Sequence, residues 1–183
     1  MRPVLMAIAT PLLLALAAGS LPYGSDQPLR EPALLGDAFN SLTDAAPPSF
    51  TSDGKTAYFN MQRPPHGRLP AHNVLVVSRF VAGQWTPPAW LEFSGQNQEG
   101  DLRLSPDGTL LFFWSYRAGP QVESPLKQES DIWFVEREGA GWGSPKRLDE
   151  PINSPQRDYI GSFAADGTLY FTSLREDWSI AVG

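Results

Sequence analysis

Beyond residue 30 the apolar positions fall in short runs, each closed by a turn signal. Three of these runs follow one phrase. It reads Thr51-Ser52-Asp53-Gly54-Lys55-Thr56-Ala57-Tyr58-Phe59, then Ser105-Pro106-Asp107-Gly108-Thr109-Leu110-Leu111-Phe112-Phe113, then Ala165-Asp166-Gly167-Thr168-Leu169-Tyr170-Phe171. Glycine supplies the backbone freedom of such a turn and aspartate its local hydrogen bonds. The aromatic and β-branched residues after each turn, as in 110–116, predict a strand. A second apolar run follows in the first two units, 73–78 and 131–135. In the latter, Ile132 and Phe134 should face one way and Trp133 and Val135 the other. A Gly-Trp turn comes next (Gly83-Gln84-Trp85, Gly141-Trp142), then a proline-containing run ending at Leu91 and Leu148. Each unit therefore reads as four short strands. Sixteen glycines and 18 prolines punctuate the chain too often for long helices.

The units are a true repeat. The Asp-Gly pairs lie 54 and then 59 residues apart. Trp85, Pro88, Leu91 and Asp101 recur 57 residues later as Trp142, Pro145, Leu148 and Asp158. Pro32, Leu35, Asn40, Ser41, Phe50, Asp53 and Gly54 recur 113 residues on as Pro145, Leu148, Asn153, Ser154, Phe163, Asp166 and Gly167. A four-stranded antiparallel unit of about 40–50 residues, repeated, predicts an all-β propeller whose blades bury their faces against one another. Residues equivalent in every unit serve the repeat. Asp53, Gly54, Asp107, Gly108, Asp166 and Gly167 are thus assigned to the turns. Arg63, Arg117 and Arg175 are assigned to structural hydrogen bonds, and Trp85 and Trp142, with Trp133, to packing. By the 57-residue offset, Asp101 and Asp158 hold equivalent places before a first strand, where they tie neighbouring blades or line a channel mouth.

The phrases Leu104-Ser105-Pro106-Asp107-Gly108-Thr109-Leu110-Leu111-Phe112-Phe113, Ser130-Asp131-Ile132-Trp133-Phe134-Val135-Glu136 and Glu150-Pro151-Ile152-Asn153-Ser154 resemble the TolB-like, WD40-like β-propeller repeat of exported bacterial proteins. The similarity runs from Glu31 to Arg175. It implies the six-bladed type of propeller, in a family whose members mostly have no defined activity and in part serve as protein-interaction modules of the cell envelope. Ser52 and Ala165 replace the proline of the motif, which predicts looser first and third turns. About three blades are present, too few to close a ring. The expected layout is a signal peptide (1–19), a linker (20–30) and a partial propeller (31–183). Within it, 31–41 is a closing strand of the last blade, 42–91 blade one, 92–148 blade two and 149–183 an incomplete blade three. Such an arc belongs to a longer protein or closes by self-association through its open edges.

The leader reading rests on Met1-Arg2, the apolar stretch 4–18 and the small residues Ala17-Ala18-Gly19. It predicts export to the periplasm or outside the cell, with no transmembrane segment in the mature chain. The chain carries 14 basic and 20 acidic residues, a net of −6. That balance, with no basic stripe, argues against nucleic-acid binding. The absence of cysteine removes disulfides, zinc-thiolate sites and thiol catalysis together.

No catalytic constellation emerges. His66 and His72 lie in a proline-rich loop with no carboxylate between them, so neither a metal site nor a serine triad is expected. No phosphate-cradling glycine loop is present, and no cofactor is expected. Strand order puts the long segments 64–72, 92–101, 118–130 and 149–158 on one face, opposite the tight turns, and long loops on a rigid scaffold are where binding resides. The candidate binding residues on that face are Asp101, Glu123, Glu129, Asp149, Glu150 and Asp158. With Glu99 they outnumber Arg68, Lys127 and Arg157 there, which predicts a cationic or polar partner patch. The expected function is a non-enzymatic exported binding or scaffold module whose partner is a protein or an envelope polymer. The alternative is a propeller accompanying a peptidase-like hydrolase whose catalytic part lies beyond Gly183. A third reading is carbohydrate binding through the aromatics.

Overall fold

The computed structural model describes residues 46–63, 71–118, 129–175 and 179–182. The leader, the linker, the proposed closing strand, His66 and Glu123 lie outside the described residues. Among those described the chain is all-β, with no helix, and its strands form three antiparallel sheets. Sheet one holds β1 (Ser49–Phe50), β2 (Thr56–Arg63), β3 (His72–Val81), β4 (Gln84–Trp85) and β5 (Ala89–Trp90). Sheet two holds β6 (Glu99–Leu104), β7 (Leu110–Ser115), β8 (Asp131–Glu138), β9 (Gly141–Trp142) and β10 (Lys146–Arg147). Sheet three holds β11 (Asp158–Phe163), β12 (Leu169–Ser173) and β13 (Ser179–Val182).

Local chemistry explains the hairpins. In the second turn Ser105 Oγ donates to Asp107 Oδ1 at 2.6 Å, while Oδ1 also accepts the Thr109 N–H at 3.0 Å. The same hydroxyl accepts the Leu110 N–H at 2.9 Å, so one serine closes both sides of the turn. Thr51 repeats this arrangement around Asp53 and Thr56. In the third turn Ala164 stands at that place, and only the Thr168 N–H to Asp166 Oδ1 bond remains. Thus the hydroxyl, not the proline, separates the turns. Hydrogen bonds hold all three aspartates below the ordinary carboxylate pKa: from Thr51 and Lys55 at Asp53, from Ser105 and Thr109 at Asp107, and from Thr168 at Asp166. Gly108 sits at φ 74°, in the left-handed region that glycine enters without a Cβ penalty.

The fourth strand of each complete unit is broken in two. β4 and β5 both pair with β3, and β9 and β10 both pair with β8. Pro87-Pro88 and Pro145 lie in the gaps, where a residue without an N–H cannot extend a ladder. First strands pack on the preceding sheet: β6 against β2 and β3, and β11 against β6, β7 and β8.

Two clusters fill the spaces between sheets. Tyr58, Leu75 and Val77 of sheet one meet Leu102, Leu111, Phe113, Trp133 and Val135 of sheet two. On the other face of sheet two, Phe112 and Ile132, with Phe134 beside them, meet Ile160, Leu169 and Phe171 of sheet three. The period-two alternation in β8 thus divides Trp133 and Val135 from Ile132 and Phe134. Each such large side chain, fully buried, contributes about 1.5–3 kcal/mol, and sheet two does so on both faces.

The register corrects one equivalence. Glu99 of β6 stands opposite Ser115, and Asp158 of β11 stands opposite Ser173. Glu99, not Asp101, is therefore the counterpart of Asp158. The offset misleads because β6 and β11 carry bulges at different places, between Gly100 and Arg103 and between Ile160 and Ser162.

Candidate functional site

Beneath the connectors between sheets lies a repeated polar frame. Arg117, just past β7, donates from Nε to Ser115 Oγ at 3.1 Å and from Nη2 to the Phe93 carbonyl at 3.2 Å. It also pairs with the fully buried Glu99, whose other oxygen accepts from Ser94 Oγ. Arg175 repeats the pattern in the next unit. Its Nε donates to Ser173 Oγ at 2.8 Å, and its Nη2 donates to the Ile152 carbonyl at 2.7 Å and to that of Pro151. Asp158 is one methylene shorter than Glu99. Its Oδ2 accepts from the Ser154 N–H and Oγ, while buried Oδ1 has no hydrogen-bond partner. Arg63 differs, donating to the Gly95 carbonyl at 3.0 Å while its guanidinium lies 4.8 Å over Trp90. Gly95 also faces His72 Nε2 at 3.2 Å.

Asn153 locks the second connector to β8. Its Oδ1 accepts the Ile132 N–H at 2.7 Å, and Nδ2 donates to the Ile132 and Leu148 carbonyls at 2.9 and 2.7 Å. Ser94 does part of that work one unit earlier, accepting the Leu75 N–H at 2.8 Å. The buried Asp131 binds Arg147 through both oxygens, at 2.6 and 3.0 Å, which raises the Arg147 pKa. These groups hold the scaffold. They are spoken for.

At the connector end, across sheets two and three, the frame carries an aromatic and charged cluster. The Trp114 indole lies against Gly100, where an added Cβ would sit 2.7 Å from the ring. Its Nε1 donates to Asp101 Oδ2 at 2.9 Å. Asp101 has φ 48°, a strained value for a residue with a side chain, and its N–H reaches Asn60 Oδ1 of sheet one at 3.2 Å. The Tyr116 and Tyr159 rings meet Trp114 edge-on, with centroids 5.6 and 5.9 Å away. Beside them Arg157 Nε pairs with Glu129 at 3.0 Å. Partial burial, then Tyr159, raises the Tyr116 pKa, and the Arg157 pKa is raised by Tyr116, Glu129 and Tyr159.

The residues expected on the binding face separate into groups. Asp101 and Glu129 belong to this cluster. Asp149 and Glu150 are exposed on the second connector. Asp158 is fully buried, as is Glu99, so neither adds charge to the surface. The acidic excess expected there shrinks by those two carboxylates, and Glu129 is already paired with Arg157. Trp142 lies against Tyr58 in the cleft between sheets one and two, and Trp85 packs beside Phe50 and Phe80.

Sequence reasoning passed over Trp114, Tyr116, Tyr159 and Asn153 as functional residues. Asn153 alone carried a signal, its recurrence with Asn40; the aromatics meet only through the pairing of β6 with β7 and the packing of β11. No group of three or more metal-ligating side chains is gathered among the described residues. No described helix is long and apolar enough to cross a membrane. Comparison of the chain with protein-family models and with curated proteins returns no match.

Proposed function

We propose that this chain is a non-enzymatic binding module, exported to the periplasm or cell surface, built as an arc of a TolB-like propeller. Its partner is a protein or polar polymer of the envelope, engaged at the connector end of sheets two and three. The observation that carries this reading is the Trp114–Tyr116–Tyr159 cluster with its Asp101 acceptor and its Arg157–Glu129 pair. Half-buried aromatics ringed by charge, on strand ends braced by buried ion pairs, suit recognition by edge contacts and hydrogen bonds. The antiparallel repeat, with each first strand seated on the preceding sheet, supports the propeller. Sugar stacking is less favoured, because the indole already spends one face on Gly100 and needs an open one for a pyranose ring.

The test reverses the exposed pair. In Arg157→Glu with Glu129→Lys the ion pair is kept and the local field inverted, so a purely structural role is rescued. Capture of a partner from an envelope extract should fall at least tenfold with the double exchange while the thermal midpoint stays unchanged. Equal capture by the wild type and the exchanged chain would place recognition elsewhere.

A further inference from the structure

The cleft between sheets one and two has a lid that the next cleft lacks. Trp142, at the tip of the β8–β9 hairpin, lies edge-on against Tyr58 at 5.7 Å, and the Arg137 guanidinium covers its other side at 4.6 Å. Arg137 Nη1 also reaches the Tyr58 hydroxyl at 3.4 Å. With that indole in place the remaining hollow is about 230 Å³. The cleft between sheets two and three is built from the same positions. Phe112 stands four residues past Gly108 as Tyr58 stands four past Gly54, and each pairs with the matching residue of its third strand, Phe134 or Val77. No residue of the described third sheet corresponds to Trp142. The result is an open hollow of about 430 Å³, lined chiefly by Leu110, Phe112, Leu148, Ile152, Phe163 and Leu169, with Ala165 exposed at its rim.

We infer that this hollow is a receptor for a tryptophan presented on a Gly-Trp β-hairpin by another unit of the same repeat, seated as Trp142 is seated on Tyr58. The interface continues one already formed inside the chain, so its occupant is specified by that template: a flat indole entering edge-on against Phe112, with a cation behind it. The Asp-Gly turns at Asp107 and Asp166 form the mouth and offer carboxylates to that cation.

The probe is a backbone-cyclised peptide copying residues 131–148, titrated into the full chain by calorimetry and followed by NMR. Saturable binding should perturb the Leu110, Phe112, Phe163 and Leu169 signals. It should weaken at least tenfold with Trp142→Ala in the peptide, and likewise with Ala165→Arg in the chain, a rim change that leaves the core intact. N-acetyl-tryptophanamide, which needs no folding, should shift the same signals at millimolar concentration. If the chain self-associates and the peptide disperses it, a second copy supplies the hairpin. Binding indifferent to both substitutions, or indole-induced shifts confined to other residues, would overturn the assignment.

Discussion

At the residue scale the connector-end cluster depends on two backbone positions. Gly100 has no room for a side chain, because a Cβ there meets the Trp114 ring at 2.7 Å. Gly100→Ala should therefore displace the indole and destabilise the fold by about 1–3 kcal/mol, the usual cost of overpacking. A chemical melt together with a change in tryptophan emission checks both parts. Asp101 combines φ 48° with an acceptor for Trp114 Nε1. Asn tolerates the left-handed region and keeps an acceptor, so Asp101→Asn should be near neutral. Asp101→Val loses both and should cost about 1–3 kcal/mol. Equal melts for the two variants would show that neither strain nor the indole bond matters. The turn aspartates set a pH dependence. Their folded pKa values lie below the ordinary 3.8, so the stability they add is complete above that value and fades as pH falls through the lower, folded values. Ala164→Ser should restore the hydroxyl that Thr51 and Ser105 supply. An NMR titration should then find Asp166 ionising at lower pH than in the wild type, whereas an unmoved Asp166 would deny the hydroxyl its role.

At the element scale the hairpins were legible from the chain because their causes are local. An Asp-Gly turn followed by aromatic and β-branched residues states its own register, and β8 divides its side chains between two cores as its alternation requires. The broken fourth strands were half legible. Pro88 and Pro145 were visible in the sequence, but it took the ladder to show that each strand divides around its proline. The bulges were not legible at all. Nothing local to Asp101 announces that β6 shifts register there, so equal spacing paired it with Asp158 while space pairs Glu99. The connector at Asn153 carries the sharpest test at this scale. Asn153→Ala removes three hydrogen bonds and leaves the Ile132 amide and two carbonyls unpaired in a buried place. The expected loss is about 2–4 kcal/mol by denaturant melt, since each stranded group costs about 1–3 kcal/mol and the site relaxes in part. A change below about 1 kcal/mol would mean that the connector does not need this lock.

At the scale of the whole molecule, stability should be graded along the chain. In a row of units each sheet gains mainly from its nearest neighbours. Sheet two is packed on both faces, by the Tyr58–Leu75–Val77 side of sheet one and by Ile160, Leu169 and Phe171 of sheet three. It also contains two buried ion pairs, Glu99 with Arg117 and Asp131 with Arg147. Sheet three has three described strands to the five of its neighbours, an Asp-Gly turn without the hydroxyl clamp, and the open hollow along its border with sheet two. Local opening should therefore begin there, and exchange of backbone amides measures it directly. The amides of β7 and β8 should be the slowest to exchange, and those of β11 and β12 should exchange at least tenfold faster. Glu99→Ala should then narrow the difference by weakening the middle sheet, because it strands a nearly buried guanidinium at a cost of about 3–5 kcal/mol. If all three sheets exchange at one common rate in the wild type, they unfold as a single cooperative body, and the nearest-neighbour picture of this chain is wrong.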